Sequence, residues 1–135
     1  MFDNILGKKI TDKNFGDMKI TKDKNTNIFT LTKTFDFGQY KKIDLYIENQ
    51  PPESTTDQFN LFNLIVDNSL KIIKASNDKY FDSYKKNLFA DFDLDFILFN
   101  DKDANWELWL TKKGGFENCV VEFYNLDIQG LYFTA

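Results

Sequence analysis

Between residues 28 and 37 apolar and polar side chains take turns. Phe29, Leu31, Phe35 and Phe37 fall on one side, Thr30, Thr32, Thr34 and Asp36 on the other. A period of two with β-branched residues predicts a half-buried strand. Gly38-Gln39-Tyr40-Lys41 turns the chain, and Ile43, Leu45 and Ile47 then alternate with Asp44, Tyr46 and Glu48. Residues 18–23 supply a short strand ahead of the turn cluster at 23–27. The three predict an antiparallel meander.

After Pro51-Pro52 the period lengthens. Phe59, Phe62, Ile65, Val66, Ile72 and Ile73 recur at helical spacing, and Thr55-Thr56-Asp57-Gln58 has the spacing of a capping box. This predicts a helix of about five turns, roughly 30 Å long. Ser76-Asn77-Asp78 interrupts it or caps a second segment, where Tyr80, Phe81, Tyr84 and Leu88 share a face. Strand patterns return at 93–100, 106–111, 118–124 and 128–134, separated by turns at 101–105, 112–115 and 125–127. The order β-β-β-α-(α)-β-β-β-β predicts an α+β fold: a mostly antiparallel sheet with its helix or helices on one face. The length of 135 residues suits one domain over 1–135.

Composition narrows the chemistry. There is no histidine, all 17 basic residues are lysines, and Cys119 is the one cysteine. Catalysis by Ser-His-Asp or Cys-His and the His-Glu-x-x-His zinc site are excluded. So are an intrachain disulfide, a Cys-x-x-Cys pair and bidentate arginine readout. The glycines form neither a dinucleotide fingerprint nor a P-loop. A non-enzymatic protein with no cofactor is expected. Lys, Asp, Phe and Asn dominate the chain and all have A/T-rich codons, so the missing arginine reads first as genome composition. The longest apolar run is Phe96–Phe99, too short for a membrane helix, and residues 1–9 lack the order of a signal peptide. A cytoplasmic protein is expected.

Charge is uneven. Residues 1–87 carry 14 Lys against 12 Asp/Glu, and residues 88–135 carry 3 Lys against 9, within a net charge of −4. The acidic C-terminal third disfavours nucleic acid and anionic membrane and favours a basic protein partner. Lys71, Lys74, Lys79, Lys85 and Lys86 read as a solvated helix face.

Alternation sorts the C-terminal strands into two faces. Leu94, Phe96, Leu98, Trp106, Leu108, Leu110, Cys119, Val121 and Phe123 are assigned to the core. The opposite set is Asp95, Ile97, Phe99, Glu107, Trp109, Thr111, Val120, Glu122 and Tyr124. It mixes aromatic rings with carboxylates, the composition of a protein-binding surface. Trp109, Tyr124 and Phe99 are the expected anchors, with Glu107, Glu122 and Asp95 as charges. Asp91, Asp93 and Asp95 alternate and form the alternative reading, a divalent-metal site for a carboxylate enzyme. They lack the EF-hand pattern, since its glycine and glutamate positions hold Phe96 and Lys102. Glu107 and Glu122 read as a carboxylate pair on facing strands, Cys119 as a buried structural thiol. A homodimer through the acidic-aromatic face is a third reading.

Several strings also carry a resemblance: Asn14–Met18, Lys42–Ile47, Gln58 opening a long helix with Phe62 and Asn68, Asn105–Trp109, Cys119–Asn125 and Ile128–Phe133. Together they make the chain similar to small bacterial domains encoded beside polymorphic or secreted toxins and taken for immunity proteins. The resemblance implies a cytoplasmic protein that binds and blocks a cognate toxin. It implies no catalytic residues.

Overall fold

The computed structural model describes residues 8–23, 25–26, 28–49, 55–100 and 104–135. The chain start at 1–7, the prolines of the 51–56 loop and the 101–103 part of the following turn lie outside the described residues, as do Lys24 and Asn27.

Eight strands form one sheet in sequence order: β1 (Lys8–Asp12), β2 (Gly16–Lys22), β3 (Phe29–Phe37), β4 (Tyr40–Asn49), β5 (Phe92–Phe99), β6 (Asn105–Lys112), β7 (Asn118–Tyr124) and β8 (Asp127–Thr134). Neighbours are antiparallel except β4 and β5, which are parallel. A parallel pair cannot be closed by a tight turn, so the chain needs a crossover there. The crossover holds α1 (Thr56–Asp67), α2 (Ser69–Tyr84) and α3 (Leu88–Asp91). The α+β class and mostly antiparallel sheet agree with the expected ones. Strand β1 is an addition: five residues with Ile10 as their one apolar side chain carry almost no periodic signal.

The helices pack on one face. Leu45, Ile97, Leu108, Val121 and Leu131 stand opposite one another across β4 to β8, and the first four are buried. Beside them, Trp106 stacks on Phe123 with ring centroids 4.3 Å apart. Helix α1 meets this face through Phe62, 5.0 Å from Phe35. Helix α2 meets it through Tyr80, 6.0 Å from Phe92 and 6.3 Å from Phe133. At Gly38, φ is +59° and an added Cβ would come 3.1 Å from Ile73 Cδ1. The β3–β4 turn therefore needs a glycine twice, for its backbone and for the approach of α2.

Three local expectations are corrected. The capping box does not form, because Thr55 is used elsewhere. Its hydroxyl donates to the Asp12 carboxylate at 2.8 Å and accepts from Asn14 Nδ2 at 3.2 Å, and among the described residues the buried Gln58 amide has no hydrogen-bond partner. The helix breaks at Asn68, and 76–78 lies inside α2. Asn68 Nδ2 donates to the Leu64 carbonyl at 2.8 Å, a side chain competing with the backbone ladder. The third correction is in β5. Leu94 pairs with Leu110 but Phe96 pairs with Trp109, so Asp95 is an extra residue in a bulge. One extra residue reverses the alternation. Ile97 and Phe99 go into the core, and Phe96 and Leu98 go to the other face.

Asp12 clasps the β1–β2 turn to the start of α1. It accepts from the backbone N–H groups of Asn14 and Phe15 at 2.8 and 2.9 Å, as well as from Thr55. Burial pushes its pKa up, but these hydrogen bonds and the charge of Lys13 outweigh burial and hold it below the usual value. A depressed carboxyl stabilises the fold above its unfolded pKa, and that contribution is lost as pH falls through the folded one.

Two outcomes are expected in denaturant titrations. Leu108→Ala lowers stability by about 2–5 kcal/mol, the range for emptying a closed core site. Asp12→Ala costs about 1–2 kcal/mol at neutral pH through lost hydrogen bonds. That deficit shrinks in acid, where the wild-type carboxylate is protonated too.

Candidate protein-binding face

Among the described residues no helix packs on the opposite face of the sheet. Strand register assembles its acidic-aromatic part from two rows. One is Asp44, Phe96, Trp109, Val120 and Tyr132, and the other is Tyr46, Leu98, Glu107, Glu122 and Gly130, each running from β4 to β8. The first row is a shelf of rings. Trp109 stacks on Phe96 with centroids 5.2 Å apart and planes 14° from parallel, and Tyr46 meets the Phe96 edge at 5.1 Å. Val120 is fully buried although it lies on this face.

The second row holds the charge. Glu107 and Glu122 are directly opposite in register, as expected for a carboxylate pair on facing strands. Glu107 Oε1 accepts the indole N–H of Trp109 at 3.0 Å, and its Oε2 lies 3.5 Å from the Tyr132 hydroxyl. Glu122 lies over Gly130, where an added Cβ would come 3.3 Å from Oε1. Glu48, next on this face of β4, is half-buried. Burial pushes its carboxyl pKa up, and the nearby Glu107 charge pushes it further. The Tyr46 and Tyr132 phenols are also raised, by burial first and then by neighbouring carboxylates. Among the described residues no lysine bridges to Glu48, Glu107 or Glu122. This part of the face is therefore ring-lined and carries carboxylates that no described lysine pairs with.

The expected site residues are placed as follows. Trp109, Glu107 and Glu122 come together at its centre. Tyr124 is 48% exposed, at the end of β7 two residues beyond Glu122. Asp95 sits at the bulge and accepts from the Thr111 hydroxyl at 3.0 Å, at the margin of the ring shelf. Phe99 does not belong to the face: it is 1% exposed, on the helix side, because the bulge reversed its direction. Phe96 takes its place beside Trp109. Tyr46, Glu48 and Tyr132 complete the surface. Their polar-side positions in β4 and β8 are visible in the alternation, but their company is set by register.

The aspartate string divides. Asp91 accepts from the Tyr80 hydroxyl at 3.2 Å, Asp93 lies 3.8 Å from Lys113 Nζ, and Asp95 is held by Thr111. Among the described residues no group of three or more His, Cys, Asp or Glu is placed to hold a metal ion. Cys119 is buried in the helix-side core, and burial, then the charge of Glu117, pushes its thiol pKa up to about 12. A thiol so placed has little thiolate at neutral pH and is inert. On the same face of the sheet as the rings a depression of about 450 Å³ lies over β1–β4, lined by residues including Lys9, Lys19, Thr32 and Thr34, and it adjoins the acidic-aromatic part at Asp44. Among the described residues no helix is long and apolar enough to cross a membrane.

A carboxyl whose folded pKa is raised destabilises the fold while ionised, and stability recovers as pH falls through that pKa. Glu48→Gln is therefore expected to raise the melting temperature at neutral pH. The gain vanishes below the carboxylate range, where wild-type Glu48 is protonated in folded and unfolded chains alike. Thermal melts of both proteins across pH check this. A scan against protein-family models finds no matching family, and searches of curated proteins and of solved structures find no significant match for this chain.

Proposed function

We propose that this chain is a non-enzymatic binding module that captures a basic protein partner on the acidic-aromatic face. The most concrete form of the reading is a cytoplasmic immunity protein that neutralises a cognate bacterial toxin. The observation that carries it is the set of three carboxylates, Glu48, Glu107 and Glu122, beside the Trp109–Phe96 stack, with no lysine among the described residues paired to them. Among the described residues, no lysine lies in salt-bridge reach of these three. Such a surface leaves charge that a cationic partner can neutralise.

The division of labour follows from the chemistry. Rings packed into a partner's surface are the groups whose removal costs most, and tryptophan leads them. Trp109 is pre-organised by Phe96 on its face and by Glu107 at its N–H. It loses little freedom when a partner docks. Glu107 and Glu122 speed encounter with a basic surface and fix its register, while the buried rings slow dissociation. A toxin whose own substrate is anionic has a basic active-site surface. A rigid acidic sheet covering that surface would block it.

Co-expression with the product of the adjacent reading frame tests the reading in bacteria: the neighbour arrests growth and this chain restores it. In the purified pair, Trp109→Ala weakens binding by about 2 kcal/mol or more. Glu107→Gln slows association and flattens its salt dependence. Unchanged affinity in a folded Trp109→Ala protein removes this face from the reading. A neighbour that is harmless, or that kills regardless, removes the immunity role.

A further inference from the structure

The two outer strands of the sheet are built differently. Strand β1 is five residues long and carries Lys8, Lys9 and Asp12, the charged short edge that discourages pairing. Strand β8 is eight residues long, and Ile128–Thr134 contains no charge and no proline. β7 takes one side of it, and among the described residues no strand takes the other. Its outer backbone N–H and C=O groups form a template for one more strand.

Exposed rings flank that edge on both faces. On the helix side Tyr84 packs edge-on against Phe133 with centroids 5.4 Å apart, yet stays 45% exposed. Phe81, one turn earlier on the same stripe of α2, is 50% exposed. On the other side Tyr132 is 39% exposed. Gln129 is an extra residue in a bulge between Ile128 and Gly130, so the regular stretch of this edge is Gly130–Thr134, and these rings stand beside it.

We propose that β8 pairs antiparallel with β8 of a second copy, joining two sheets into one across a two-fold axis. This inference goes beyond the toxin-binding reading and does not depend on it. The register comes from the strand itself. Leu131 and Phe133 face the helices, while Gly130, Tyr132 and Thr134 face the other way, as their β7 partners show. Opposed residues in an antiparallel pair share a face. Centring the axis on Tyr132 satisfies this throughout: Tyr132 faces its own copy, Leu131 faces Phe133, and Gly130 faces Thr134. No charge opposes a like charge at the seam, which matters in a chain of net charge −4. The helix layers lie on the same side, so Phe81 and Tyr84 of each copy approach those of the other. The interface is isologous and closes after two chains.

Light scattering on the purified full chain tests this. The wild type is expected at about twice its 15.9 kDa. Tyr132→Lys and Tyr132→Glu each place like charges opposite one another at the axis. Each is expected to raise the dimer dissociation constant at least tenfold while keeping a wild-type circular dichroism spectrum. Mixing the two variants in equal amounts restores the dimer, which a fold defect would not do. Trp109→Ala leaves the dimer intact and so separates this seam from the partner-binding face. A wild type that stays at the single-chain mass at tens of micromolar overturns the proposal, as does a dimer that both charged variants retain. Folded variants that fail to recover the dimer on mixing overturn it too. So does a wild type that pairs only when an extended peptide of another sequence is supplied.

Discussion

The parallel contact between β4 and β5 shapes the rest of the molecule. All other neighbouring strands run antiparallel and need only a short link. Here the chain must travel back along the sheet before it pairs, and it does so through three helices. Those helices cover one face of the sheet. The core lies beneath them, from Met18 in β2 to Phe123 in β7. Each fully buried Leu, Ile or Phe there contributes roughly 1.5–3 kcal/mol through burial. The clasp of Asp12 with Thr55 ties the β1–β2 turn to the start of the crossover. The remote edge of the sheet is thereby linked to the helix layer.

The same arrangement leaves the other face free to specialise. Its rings support one another through the Phe96–Trp109 stack and the Tyr46 contact. Its carboxylates do not: Glu48 and Glu107 repel each other, and burial makes ionised Glu48 costlier still. Glu107 is offset in part by the Trp109 indole N–H and the Tyr132 hydroxyl, which both donate to it. The sheet edges show a similar contrast. β1 is guarded by charge, whereas Ile128–Thr134 of β8 carries none.

Much of the element order is legible in the chain, because it depends on side-chain period. The strands around 29–37, 43–47 and 106–124 and the helices after Thr55 follow from local spacing. The exceptions have specific causes. β1 has one apolar residue and gains its place by pairing Ile10 with Met18. The α1–α2 break depends on Asn68 bonding back to Leu64. Thr55 has capping spacing, yet a carboxylate 43 residues earlier in the chain claims its hydroxyl. Within the candidate face, the directions of Glu107, Trp109, Glu122 and Tyr124 were readable, while those of Phe96 and Phe99 were inverted. Asp95, the residue responsible, looks in sequence like any other member of an alternating strand.

What the chain determines alone is therefore local and chemical. It sets period two against period 3.6, and hence the α+β class. It withholds histidine and arginine, and hence most familiar catalytic and phosphate-binding chemistry. It also concentrates acid and rings in its last third. Tertiary structure decided which strands became neighbours, at what register, and where one extra residue reversed a strand. These outcomes depend on pairing energies between segments distant in sequence, which no local pattern encodes. They bring Glu48 of β4 beside Glu107 of β6 and Phe96 under Trp109. They also put Phe99 into the core.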